Sequence, residues 1–134
     1  MIKSKIVLFS IFLLFFNKAT FSGMSDGIDT EDVVEDTNPY KDNIEAVEEG
    51  KLLWAKTGCY SCHGGKAEGG VGPSLTDDIW VFKPTDKTIF KTIAKGRSGT
   101  TMVGWEKELT KDEIWKIISY IRSLYSGSKS KIVW

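Results

Sequence analysis

The apolar residues of the chain fall into separate patches divided by polar and glycine-rich stretches. The clearest patch follows Thr110-Lys111-Asp112-Glu113, where Ile114, Ile117, Ile118, Ile121 and Leu124 recur at the spacing of one helix face. Thr110 and Glu113 have the spacing of a capping box, which predicts the start of this helix, and Gly127 breaks it. A second stripe, Ile89, Phe90 and Ile93, predicts a helix from Thr85 or Asp86 to Lys95, with Gly96 as a left-handed stop. A third helix is predicted from Asn43, a capping residue, to Thr57, ending at Gly58. Ile44, Val47 and Trp54 lie near one face of it, with Leu52 and Leu53 beside them. No convincing alternating pattern predicts a strand. The segment KAEGGVGPSLTDD, rich in glycine and holding a proline, reads as a loop that wraps something. The expected fold is small and all-α: three main helices joined by long Gly-rich connections.

The first residues stand apart. Lys3 and Lys5 precede the apolar run Ile6 to Phe16, and small residues follow at Ala19, Ser22 and Gly23. This order predicts a secretory signal peptide over residues 1–22. The alternative is a retained anchor, but the run spans only roughly 16 Å as a helix, about half of a bilayer core. An exported protein of the periplasm, without stable membrane insertion after cleavage, is expected.

Charge divides the rest. The chain has 18 Lys and Arg against 18 Asp and Glu. Removal of residues 1–22 takes away Lys3, Lys5 and Lys18, leaving 15 bases against 18 acids and a net of −3. Ten acids and one base lie between Asp26 and Glu49, and 14 bases and 8 acids follow from Lys51 onward. Residues 23–42 therefore read as an acidic flexible leader, residues 43–127 as one domain, and residues 128–134 as a C-terminal tail. The domain is too weakly basic, and its lysines too dispersed, for nucleic-acid binding. It is also small enough to be marginal without a staple, metal or cofactor.

Both cysteines and the sole histidine of the chain sit together in Gly58-Cys59-Tyr60-Ser61-Cys62-His63-Gly64. Cys59-x-x-Cys62-His63 is the spacing for covalent haem attachment. Two thiols three residues apart at a helix end reach the two vinyl groups on one porphyrin edge, and the adjacent imidazole meets the iron. A thioredoxin-like redox pair would need a βαβ context, structural zinc a fourth ligand, and a short-range disulfide leaves His63 unexplained. The sixth ligand is bounded by elimination. Met1 belongs to the signal and Met24 to the leader, whereas Met102, in Gly99-Thr100-Thr101-Met102-Val103-Gly104, follows the second helix on a loop. Met102 is therefore the expected second axial ligand, and a gap-filling core residue otherwise.

With these residues in view, the chain resembles a class I c-type cytochrome from about Asn43 to Gly127. The resemblance rests on Gly50 and Trp54 before the haem motif, on Gly72-Pro73-Ser74-Leu75, on the Met102 loop and on the aromatic last helix. It implies a class I cytochrome c fold around one haem c attached through Cys59 and Cys62. It implies that the Pro73 carbonyl accepts a hydrogen bond from the His63 ring, and that Gly50 lets the last helix cross the first, with Trp115 or Tyr120 at the crossing. The stretch GVGPSLTDDIWVFKPTDKTIFKTIAKGRSGTTMVGW, with LTKDEIWKIISYIRSLY after it, is similar to the cytochrome c-L type. That type accepts electrons from PQQ-dependent methanol and alcohol dehydrogenases. By this analogy Trp80 and Arg97 contact the haem propionates; Arg97 is otherwise a surface cation.

The expected role is an electron carrier of methanol oxidation, not an enzyme. Leu52, Leu75, Phe90, Ile93 and Ile118 are expected to bury the haem, with one edge near Cys59 exposed to transient redox partners. The donor implied by the resemblance is a quinoprotein dehydrogenase, and the acceptor another cytochrome or a terminal oxidase. The body's lysines would steer docking, and the leader would fold over them and weaken it. The alternatives are a haem sensor or small peroxidase with a labile sixth ligand, and a thiol–disulfide protein without haem.

Overall fold

The computed structural model describes residues 37–127, which form helices and no strand. The expected signal peptide, the leader up to residue 36 and the tail at 128–134 lie outside the described residues. Helix α1 runs over Ile44–Thr57, α2 is the single turn Tyr60–His63, α3 covers Asp86–Lys95 and α4 Lys111–Leu124. The three expected helices are thus present.

Each starts where a side chain satisfies orphan amides. Asn43 Oδ1 accepts from the Ala46 N–H at 3.0 Å, Thr85 Oγ1 from Thr88 at 3.1 Å and Thr110 Oγ1 from Glu113 at 3.2 Å. Glu113 returns the bond, accepting from the Thr110 N–H at 2.8 Å, which completes the capping box. α1 ends on Gly58 in the left-handed region, at φ 78° and ψ 18°. Gly96 departs from the expected stop. Its φ is 73° but its ψ is −165°, outside the left-handed helical well. The cause is the return of the chain beneath α3: the Trp105 N–H donates to Ile93 O at 3.0 Å and the Glu106 N–H to Ala94 O at 3.1 Å. A Cβ on Gly96 would stand 2.6 Å from the Met102 carbonyl oxygen.

The core lies between α1, α3 and α4, around Trp54, Phe90, Ile114, Ile117 and Ile118. The buried face of α1 is Ala46, Gly50 and Trp54, each four residues from the next. Ile44 and Leu52, expected near the inward face, are 80% and 70% exposed. The reason is the closeness of the crossing. A Cβ on Gly50 would sit 2.6 Å from the Lys116 carbonyl carbon and 3.1 Å from Tyr120 Cβ, so α4 comes up against the α1 backbone itself. Small residues therefore mark the inward face, and the larger apolar ones are turned away. Tyr120 occupies the crossing, while Trp115 packs on Phe90 of α3 with ring centroids 4.6 Å apart.

The last residues assigned to the leader are docked onto this body. Asn38 is buried, and its amide donates to Trp115 O at 3.0 Å and Ser119 Oγ at 2.9 Å. Its own N–H donates to Asp86 at 3.1 Å. Asp86, also buried, pairs with Arg122, whose Nε and Nη2 approach Oδ1 at 2.9 and 2.7 Å. A buried pair with this many hydrogen bonds has its desolvation cost offset. Tyr40 donates its hydroxyl to Asp112, which also pairs with Lys116 at 2.8 Å.

Gly50→Ala forces α1 and α4 apart. An overpacked contact of this kind costs about 1–3 kcal/mol. The melting temperature is expected to fall by at least about 5 °C, the change that about 1 kcal/mol makes in a domain of this size. Thermal unfolding followed by circular dichroism measures it.

Candidate functional site

The left-handed turn at Gly58 redirects the chain, so that Cys59 stands just before α2 and Cys62 and His63 follow within one turn. The loop after it is laced back onto this turn. The Gly72 N–H donates to Cys62 O at 2.8 Å, and the Gly69 N–H donates to His63 O at 2.7 Å. These bonds bring the Pro73 carbonyl within 2.9 Å of His63 Nδ1. A carbonyl only accepts, so the contact requires the proton on Nδ1 and leaves the Nε2 lone pair available for a metal. A Cβ on Gly72 would lie 2.8 Å from His63 Cε1 and 2.9 Å from Nδ1, so glycine is what lets the loop pass so near the ring. Trp54 backs the imidazole from α1, its ring centroid 6.1 Å away.

Cys59, Cys62 and His63 line a cavity of ≈ 490 Å³. Pro73, Trp80, Arg97 and Met102 line the same cavity, so every site residue expected from sequence is brought to it. Its size and apolar walls are those of a cofactor site. The polar groups differ in what they do. The indole N–H of Trp80 is already given to Asp77 O at 2.8 Å, so Trp80 offers the cavity its ring. The Arg97 guanidinium lies over the Phe82 ring at 5.0 Å and is half-buried. Met102 is half-buried, and its backbone is held by the Arg97 N–H donating to Met102 O at 3.0 Å.

The apolar walls differ in part from those expected. Leu75 and Ile93 line the cavity, but Leu52 is on the outer surface, and Phe90 and Ile118 lie behind the wall in the core. Ile89, Ile117 and Ile121 take their place, because the cavity side and the core side of α3 and α4 are neighbouring stripes on one broad apolar face. Sequence reading also passed over Ile79, Val81 and Phe82, which stand at the mouth around Trp80. Their signal is the short apolar run Ile79-Trp80-Val81-Phe82, which follows the segment read as a loop.

The thiols are free, Cys59 half-buried and Cys62 exposed. Burial pushes the Cys59 thiol up, against the opposing effect of Thr57, whose hydroxyl lies 3.1 Å from the sulfur. A thiol–disulfide catalyst needs the opposite, a thiol lowered toward neutrality. Two thiols at one wall, an imidazole with one nitrogen committed, a cradle that a Cβ at Gly72 would fill and apolar surroundings fit a covalently attached haem.

The profile of a family described as cytochrome c oxidase, cbb3-type, subunit III, matches residues 45–121. The chain is 42% identical over 100 residues to cytochrome c-L of Methylorubrum extorquens, covering 72% of this chain and 49% of that protein. It is 40% identical over 72 residues to the cbb3-type cytochrome c oxidase subunit FixP of Bradyrhizobium sp., 52% of this chain and 24% of that one. Among solved structures, cytochrome cL from the methylotrophic bacterium Methylophaga aminisulfidivorans is similar at a TM-score of 0.65 and 40% identity, covering 71% of this chain and 63% of that one. The chain spans about half the length of the cytochrome c-L it matches.

Gly72→Ala crowds the His63 ring and breaks its bond to Pro73. The variant is expected to lose about 1–3 kcal/mol of stability and to yield less haem-loaded protein than the wild type. Thermal unfolding and the pyridine haemochrome per mole of purified protein are the measurements.

Proposed function

The chain belongs to the c-type cytochrome family, and from that premise we propose that it is a monohaem electron carrier in which haem c is attached through Cys59 and Cys62 and its iron is bound by His63 and Met102. The observation that carries this reading is the Pro73 carbonyl at 2.9 Å from His63 Nδ1, in a cavity that Met102 also lines. Bound haem supplies a one-electron iron couple. Cys59, before α2, and Cys62, within it, would hold the haem through thioether bonds. Pro73 keeps the His63 proton on Nδ1 and orients the ring, so that Nε2 would face the iron as a donor. Met102 would supply a thioether to the iron, a donor that favours the reduced metal and raises the potential. Ile89, Ile93, Ile117 and Ile121 exclude water from the site, which favours the less charged state further. Arg97 places a cation on the cavity wall for a propionate, and Trp80 packs its ring there.

The role we infer is that of a periplasmic shuttle, exported by the segment 1–22. Its donor is a PQQ-dependent alcohol or methanol dehydrogenase, and its acceptor another cytochrome or a terminal oxidase. Similarity to cytochrome c-L supports the donor, and similarity to a cbb3-type oxidase subunit supports an acceptor of that class. Among the described residues no helix is long and apolar enough to cross a membrane.

Met102→Ala is expected to abolish the far-red methionine-to-iron charge-transfer band, to lower the midpoint potential and to open the ferrous protein to carbon monoxide. The wild type is expected to bind carbon monoxide slowly at neutral pH. An unchanged band in the variant, or rapid binding by the wild type, refutes the assignment and favours a sensor or peroxidase. Stopped-flow reduction by a purified quinoprotein dehydrogenase tests the donor, with a rate that falls as salt rises.

A further inference from the structure

The segment Thr76 to Phe82 is a strap without helix or strand, and its second half, Ile79 to Phe82, lines the haem cavity. Its Trp80 and Phe82 are half-buried at the cavity, while Ile79 and Val81 are 81% and 72% exposed. The outer side of the strap thus packs on little, and its position depends on how it is tied down. The ties converge on a few residues at the end of α4. The Ser126 N–H and hydroxyl both donate to Thr76 O, each at 2.9 Å. The Tyr125 hydroxyl donates to the Asp78 carboxylate. Arg122 Nη2 donates to Pro84 O at 2.6 Å, just past the strap. Within the strap, Asp77 turns the chain by accepting from the Ile79 N–H at 2.8 Å and from the Trp80 indole N–H at 2.8 Å. A Cβ on Gly127 would strike both Asp78 and the Tyr125 ring, so glycine permits the clamp to close. Burial and Asp78 push the Tyr125 hydroxyl up to about 12, so it remains a donor throughout the neutral range.

We propose that Tyr125 and Ser126 are positioning residues for the cofactor: they clamp the strap across the cavity mouth, restrict the entry of water and thereby hold the potential of the bound haem up. The physical basis is that the apolar shell of a metal site sets its solvent access and local dielectric, and water stabilises the more highly charged ferric state. Tyr125–Asp78 is a charge-assisted bond, of the stronger class of hydrogen bonds. The Tyr125–Asp78 half of this clamp joins the segments IRSLY and TDDIW, both within the stretches similar to cytochrome c-L, and Ser126 follows directly after IRSLY. The inference rests on the haem-binding reading of the cavity with Met102 as a ligand; a wild type that lacks the methionine band refutes that reading, whereas a band lost only in the variant refutes this inference.

The test uses haem-loaded Tyr125→Phe. Exchange of the Trp80 indole proton, followed by NMR, is expected to quicken by at least about tenfold, the factor a lost hydrogen bond to a charged group carries. The midpoint potential is expected to fall while the methionine charge-transfer band persists. Unchanged exchange, or an unchanged potential, overturns the proposal. So does loss of the band, which would mean that Tyr125 acts through the axial ligand. If Tyr125→Phe yields no haem-loaded protein, Asp78→Ala removes the acceptor from the other side and is judged by the indole exchange and the band alone, because loss of the carboxylate charge itself raises the potential.

Discussion

The contact between the α1 backbone at Gly50 and the α4 backbone at Lys116 governs where the rest of the molecule sits. A helix pair that meets backbone to backbone has little freedom to slide, because every neighbouring side chain must fit the gap that the crossing leaves. Tyr120 fills that gap and packs edge-on against Trp54, and Trp54 stands beside His63. The end of α1, and with it Gly58 and both cysteines, is thereby set at a defined place over α4. The haem attachment turn belongs to this crossing more than to the loops around it.

The second constraint is the cavity. Its ≈ 490 Å³ is lined by isoleucine, tryptophan and methionine side chains, which would gain dispersion and hydrophobic stabilisation by packing on a bound haem. The polar network on the other side, in which hydrogen bonds link Ser119, Asn38, Asp86 and Arg122, ties α3, α4 and the incoming chain without help from a cofactor. Stability is thus divided: one side of α4 is held by protein alone, and the other is completed by what the cavity holds.

The helices were largely legible in the sequence because their ends carry local chemistry. Asn43, Thr85 and the Thr110–Glu113 box act within one turn, and Gly58 ends α1 by its own conformational freedom. The faces were less legible. Apolar spacing pointed to Ile44 and Leu52 on α1, whereas the buried stripe is Ala46, Gly50 and Trp54, since closeness of approach outweighs size at a crossing. Gly96 and the docking of Asn38 escaped for a related reason. Both depend on segments far away in sequence, the return through Trp105 and the Ser119 side of α4.

Sequence by itself determined the chemistry of attachment: Cys59, Cys62 and His63 lie within five consecutive residues, and covalent spacing of that kind survives any fold that leaves the turn intact. Tertiary structure alone decided what surrounds it. The loop through Gly72 had to fold back before Pro73 could reach His63 Nδ1, and the end of α4 had to return to Thr76 and Asp78 before Trp80 could be held at the mouth. Those contacts join residues ten to fifty positions apart. No local pattern encodes them, because each is produced by the packing of helices whose relative placement is settled at Gly50.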